Sequence, residues 1–237
     1  MSAAQHEREA KEHARAAEAH GAQFDPDYPN ERLGGRTGRR RLWRRGCRPA
    51  GGTPPDLASD VCWTSLRNPT AVHLAAAQDH ARRALDHRAA SAALREAEAR
   101  ACIGIADADR DMSPFEHPED IASVAPLTLR EADSPTKLPW ERTVGVIITF
   151  RAVEGMTAEW LQRVIDCHLA RNASLGHMVP EMLNCPLVPR GVEAGVSSAR
   201  DGFAVAIRST DPSVTPEVLL RAQRLRGAEP SGPAPAR

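Results

Sequence analysis

His6-Glu7-Arg8-Glu9-Ala10-Lys11-Glu12-His13-Ala14-Arg15-Ala16-Ala17-Glu18-Ala19-His20 returns, in its spacing, at His73-Leu74-Ala75-Ala76-Ala77-Gln78-Asp79-His80-Ala81-Arg82-Arg83-Ala84-Leu85-Asp86-His87. Both stretches follow His-x3-Ala-x2-His-x3-Ala-x2-His, and together they hold six of the nine histidines. Seven residues come close to two helical turns, so each triplet draws a stripe of imidazoles down one helix face, with small Ala beside it. Two helices with the same stripe predict a helical hairpin whose His/Ala faces meet.

The helices bound the rest of the chain. The first covers residues 2–22 and has strong helix formers but no Leu, Ile or Val, so it buries no large apolar stripe. Phe24-Asp25-Pro26 stops it. The second runs over 69–100, opened by Asn68-Pro69, a cap followed by Pro at the first helical position, with Gly104 just past its end. Between them lies a Gly/Pro segment, 25–68, with eight Arg from Arg32 to Arg48. This segment reads as a disordered basic linker. Trp43 within it suggests base stacking on nucleic acid, a reading outweighed by that of a solvated linker.

Asp107-Ala108-Asp109-Arg110-Asp111 starts like a calcium loop, but Met112 stands where Gly is required and Pro118 where Glu is required, so a solvated acidic turn is expected. Ser113-Pro114-Phe115-Glu116 is a capping box and predicts a short helix over 114–122. Residues 126–132 read as a strand, and 143–153 as a clear one, with Val144, Val146, Ile148 and Phe150 alternating. Thr157 caps a helix over 158–174 whose stripe is Trp160, Leu161, Val164, Ile165, His168 and Leu169; Gly176 ends it. Val192, Ala194 and Val196 begin a strand, Ala199-Arg200-Asp201-Gly202 turns it, and Phe203, Val205 and Ile207 return. Thr215-Pro216-Glu217 opens a last helix through Arg226.

The expected fold is α+β: an Ala/His-rich helical hairpin, then a small antiparallel sheet with helices on one face, in the order β-α-β-β-α. The expected segments are 1–24 for the first stripe helix, 25–68 for the linker, 69–103 for the second stripe helix and 104–125 for the acidic turn and short helix. An α+β domain fills 126–227, and a Pro/Gly/Ala-rich tail fills 228–237.

Composition excludes several classes. The 237 residues are 41% hydrophobic but only 4% aromatic, and formal net charge is zero, so no overall field draws in nucleic acid or membrane. Nothing approaches the roughly 20 apolar residues of a membrane span. The first residues lack the apolar core of a signal peptide, whereas the five cysteines, Cys47, Cys62, Cys102, Cys167 and Cys185, suggest the disulfides of an exported protein. Compartment is left open, leaning extracytoplasmic. The expected bridges are Cys62–Cys102 and Cys167–Cys185, with Cys47 unpaired. The first is doubtful for a straight helix, because about 30 residues rise roughly 45 Å.

Two groups of residues carry possible chemistry. Neutral imidazole is a common ligand for zinc and copper, so His6, His13, His20, His73, His80 and His87 are candidate metal ligands. Within one stripe the rise is about 10.5 Å, so sites must form between stripes or recruit a carboxylate such as Glu9 or Asp86. The second group is Cys167-His168, His177-Met178, Met182 and Cys185, whose thiolate, thioether and imidazole donors suit Cu(I) or zinc. A cysteine nucleophile with His177 as base is a third reading, but no orienting acid, phosphate loop, dinucleotide fingerprint or zincin motif accompanies it.

The functional expectation is a non-enzymatic protein that binds copper or zinc for storage, delivery or sensing. Ligands come from the His stripes and/or the loop residues His177, Met178, Met182 and Cys185. The alternative is a structural or protein-interaction module whose His stripes are only a helix seam, with the Ala/His face as a possible surface for another protein.

Overall fold

A computed structural model describes residues 1–37, 61–131 and 140–227. The chain forms two compact units: Met1–Arg8 with His87–Arg237, and Glu9–Asp86. Both divisions fall inside long helices and not at the expected linker ends. The architecture is α+β, with an N-terminal helical hairpin and a four-stranded antiparallel sheet.

The hairpin consists of α1 (Ala3–Gly21) and α2 (Ala71–Ala101), within a residue or two of the expected spans. Neither helix has a bulky apolar stripe. Ala10 and Ala84 are buried instead, at 0% and 2% exposure. A small side chain at such a position lets helix backbones approach closely, which replaces the knobs of larger residues. Polar capping holds the turn of the Glu9–Asp86 unit. The Asn68 amide and the Thr70 hydroxyl donate to the Asp25 carbonyl at 2.7 and 3.0 Å, and Asn68 Oδ1 accepts from Thr70 N at 2.8 Å.

The segment expected as an unstructured linker contains two strands among its described residues. β1 (Glu31–Thr37) pairs antiparallel with β2 (Val61–Arg67), Glu31 opposite Arg67 and Thr37 opposite Val61. Each strand satisfies backbone groups of the other, an option that composition alone did not reveal. Trp43, Cys47 and most of the basic run lie outside the described residues, as does the tail 228–237.

The other unit carries α3 (Asp107–Asp111), β3 (Ile121–Glu131), β4 (Trp140–Arg151), α4 (Ala158–Ser174), β5 (Val192–Ala199), β6 (Gly202–Ser209) and α5 (Thr215–Gly227). The sheet order is β3-β4-β6-β5, antiparallel throughout. Val144, Val146, Ile148 and Phe150 of β4 are buried with Val205 and Ile207 of β6, and Val146 faces Ile207 across the ladder. Leu161 and Ile165 of α4 and Val218 and Ala222 of α5 complete the core. The alternation of β4 and the 3.6-residue period of α4 thus meet in one apolar layer. Gly145 permits the close approach of β6, since a Cβ there would lie 1.9 Å from the Ile207 carbonyl oxygen.

Local differences have local causes. The aspartates expected in an acidic turn form α3, where Asp107 pairs with Arg110 at 2.8 Å and Asp111 with Arg171 at 2.7 Å. These carboxylates are committed to guanidinium groups. The helix expected over 114–122 is replaced by a turn at Ser113 and a short 3₁₀ segment, Pro118–Asp120. Pro118 lacks an N–H and biases His117 away from helical geometry. β3 therefore starts earlier than expected. Trp160 leaves the expected buried stripe of α4 and is 37% exposed.

Both expected disulfides are corrected. Cys102 pairs with Cys167, Cα–Cα 4.6 Å, and Cys185 is a free, buried thiol. A 31-residue helix, about 46 Å long, separates Cys62 from Cys102 along the chain, whereas Cys102 packs with Ile105, Val164 and Cys167 in one apolar cluster. The same corner is tied by Arg171, which bridges Glu98 at 3.3 Å and Asp111. A further device guards the sheet edge. Gln162 of α4 accepts from Val196 N at 2.6 Å and donates to the Ala194 carbonyl at 3.2 Å, pairing edge groups of β5 as a neighbouring strand would.

Candidate metal centre

The imidazoles of the hairpin meet in cross-helix pairs. In the Glu9–Asp86 unit, His13 Nδ1 lies 3.0 Å from His80 Nδ1, and His20 Nδ1 lies 3.4 Å from His73 Nδ1. In the other unit, His6 Nδ1 lies 2.9 Å from His87 Nδ1. The first partner's number rises by seven as the second falls by seven, which is the register of antiparallel helices. The six stripe histidines thus form the three pairs that the heptads permit, and each ring is half-buried. Ring centroids are 5.2 Å apart in the His13–His80 and His6–His87 pairs, and His20 also stacks on His80 at 5.5 Å with planes 9° apart.

Each pair has a definite chemistry. A short Nδ1···Nδ1 contact requires one ring to donate and the other to accept, so a neutral pair is held only by complementary tautomers. If the donor ring shifts its proton to Nε2, both rings stay neutral and both Nδ1 lone pairs are open to one metal ion. Two zinc–nitrogen bonds of about 2.0–2.1 Å at a tetrahedral angle put the nitrogens about 3.3 Å apart. The His20–His73 pair already has this separation, and the shorter pairs need to open by only a few tenths of an ångström. A carboxylate adds to the set: Glu9 lies four residues before His13, and their ligand atoms approach within 4.8 Å.

The seam is tuned by small residues. Ser91, one heptad beyond Ala84, is 1% exposed and donates to the Ala3 carbonyl at 3.0 Å, a polar stitch within its own unit. Equal seven-residue spacing aligns the two triplets in either direction; the structure pairs them antiparallel.

The loop group is dispersed among other tasks. Cys167 is consumed by its disulfide. His168 is fully buried, and its Nε2 donates to the Asp109 carbonyl at 2.9 Å; Nδ1 has no hydrogen-bond partner among the described residues. Burial holds the His168 imidazole below its usual range, so it is neutral at pH 7. His177 adopts a left-handed backbone (φ 62°), and its Nδ1 donates to the Val188 carbonyl at 2.7 Å. Burial lowers its pKa too. Met178 is 76% exposed, while Met182 and Cys185 are packed in the apolar core. Burial pushes the Cys185 thiol up, away from the thiolate that a metal ligand or nucleophile requires.

No protein-family model, curated protein or solved structure matches the chain. No helix among the described residues is long and apolar enough to cross a membrane.

Proposed function

We propose that this protein binds a transition metal ion, copper or zinc, through the histidine pairs of its helical hairpin, for storage, delivery or sensing. One observation carries the reading: imidazole nitrogens from two helices approach to 3.0–3.4 Å in the Glu9–Asp86 unit. That is close to the separation two nitrogens need around one ion. Within that unit His13 and His80 would supply one pair of donors, and His20 with His73 another. Solvent would complete each coordination sphere. The sets are separate because one heptad rises about 10.5 Å. The Cys102–Cys167 disulfide fits an oxidising compartment, where such a binder would work outside the reducing cytoplasm. The loop residues His177, Met178, Met182 and Cys185 contribute less, because two are engaged in the apolar core and His177 is committed to a carbonyl.

A second reading has its own support. At 2.9–3.0 Å the His6–His87 and His13–His80 pairs already satisfy one another as hydrogen bonds. On this reading the histidines fix helix register, as single polar residues do in coiled coils, and hold no metal.

Calorimetric titration with Zn²⁺ and Cu²⁺ separates the two. The metal reading expects a Kd at or below about 1 μM. Binding should be lost when His6, His13, His20, His73, His80 and His87 are all replaced by Gln, and should survive in His177→Gln/Cys185→Ser. Far-UV circular dichroism checks that the six-fold variant keeps its helices. A His20→Gln/His73→Gln variant, which changes a single rung, should lose part of the stoichiometry. Absence of binding by the intact chain overturns the metal reading and leaves the register reading standing.

A further inference from the structure

Separate from the histidine pairs, the sheet-bearing unit contains a cavity of about 260 Å³ between α3, the Ser113–Asp120 turns, the end of β4 and the start of α4. Its inner wall is apolar: Phe150, Leu161 and Val164 line it at 2%, 1% and 2% exposure. Met112 and Met156 also line it, and flexible thioethers adapt to ligands of different shape. Trp160, held by the Thr157 cap through its backbone N–H at 3.1 Å, is the exposed aromatic of the wall.

The ionisable lining is mostly acidic: three carboxylates and one imidazole, His117, which is held by Glu119 at 3.2 Å. Asp109, Glu116 and Asp120 line the cavity, and none of the three makes an ion pair among the described residues. The neighbouring acids differ: Asp107 and Asp111 have their arginines, and Glu119 has His117 at 3.2 Å. No three acidic or imidazole side chains of this cavity bring ligand atoms within 4.8 Å of one another, which speaks against a chelated metal ion. Apolar depth, a tryptophan face and dispersed negative charge match a small organic cation.

We infer that this cavity binds an organic ammonium ion, its apolar body against Phe150 and Leu161 and its charged head between Trp160 and the carboxylates of Glu116 and Asp120. The apolar wall supplies burial of the body. The tryptophan face and the carboxylates supply the preference for positive charge, which sets such a ligand apart from a neutral molecule of the same shape. The site uses no residue of the histidine pairs, so it stands or falls independently of the metal reading.

The test titrates the full chain with three probes that share a phenylethyl body, 2-phenylethylammonium, 2-phenylethanol and 3-phenylpropanoate, followed by calorimetry and ligand-observed NMR. The ammonium should bind about tenfold more tightly than the alcohol, and the carboxylate should bind most weakly. The preference should shrink as salt rises. Glu116→Gln/Asp120→Asn should bring ammonium and alcohol to similar affinity while leaving the alcohol unchanged. Trp160→Leu, a change at an exposed residue, should weaken the ammonium most. The six-fold His→Gln variant should bind it as the original chain does. Equal affinity for ammonium and alcohol, no ammonium binding at millimolar concentration, or a preference that survives loss of the carboxylates each overturns the inference.

Discussion

The hairpin seam and the sheet core are both buried, by opposite means. In the core, Val146, Ile148, Leu161, Ile165, Val205 and Ile207 are at most 1% exposed, and large apolar side chains interdigitate. In the seam the buried positions are alanines, and the larger residues between them are half-buried imidazoles. The core gains stability from apolar area, at about 25 cal/mol per Å². Alanine offers little such area, so the seam depends on close backbone approach and paired polar groups. A seam of that kind holds register while keeping donor atoms accessible to solvent; a packed core holds shape and excludes them. This division leaves the hairpin imidazoles half-buried and the Cys185 thiol enclosed.

The largest expected effect concerns the anchor of the core. Cys102→Ser/Cys167→Ser opens a bridge spanning 65 residues of sequence and should lower stability by about 4 kcal/mol in the chain-entropy model. Thermal unfolding with and without reductant checks it: the intact chain should lose stability on reduction, and the variant should not respond. A reductant-independent melting temperature in the intact chain would mean that packing of Ile105 and Val164 alone holds that corner.

Next comes a matched pair of substitutions. Ile207→Ala leaves a hole in the sheet core and should cost about 2–5 kcal/mol. Ala10→Leu overfills the seam and should cost about 1–3 kcal/mol. The informative readout is different for each. Denaturant unfolding reports the first, whereas the second should also reduce helical circular dichroism and weaken metal binding by forcing the helices apart. A harmless Ala10→Leu, paired with normal binding, would break the contrast between seam and core.

The smallest effect is a pH dependence. Burial depresses the His168 pKa in the folded protein, so the unfolded chain binds more protons over the interval between the folded and ordinary values. Stability is therefore fully present above the ordinary imidazole range, about pH 6.5, and falls as pH drops below it. His177 adds in the same direction, since its pKa is lowered too. Melting curves from pH 8 to pH 5 should show this decline, and His168→Gln should flatten part of it. An unchanged slope in that variant would assign the pH dependence to other groups.

The repeat spacing, the alternation of β4 and the Thr157 and Asn68 caps are local signals, and they determined α1, α2, β4 and α4 and the candidate rungs His6, His13, His20, His73, His80 and His87. Helical and strand periodicity act over a few residues, where the side chains along one segment already decide which face is buried. The antiparallel match of the heptads did not follow from these signals, since equal spacing aligns in either direction and only the folded chain pairs His13 with His80 and His20 with His73. Tertiary structure alone decided the partner of Cys102, because a disulfide requires two Cα atoms about 4.4–6.8 Å apart and sequence separation carries no such distance. It also decided that the loop donors His177, Met178, Met182 and Cys185 go to different surroundings, that Trp160 leaves its stripe to line a cavity, and that Glu31–Thr37 finds Val61–Arg67. Each of these depends on which surfaces pack together, and the energy of packing resides in pairs of residues that the chain brings near only once it has folded.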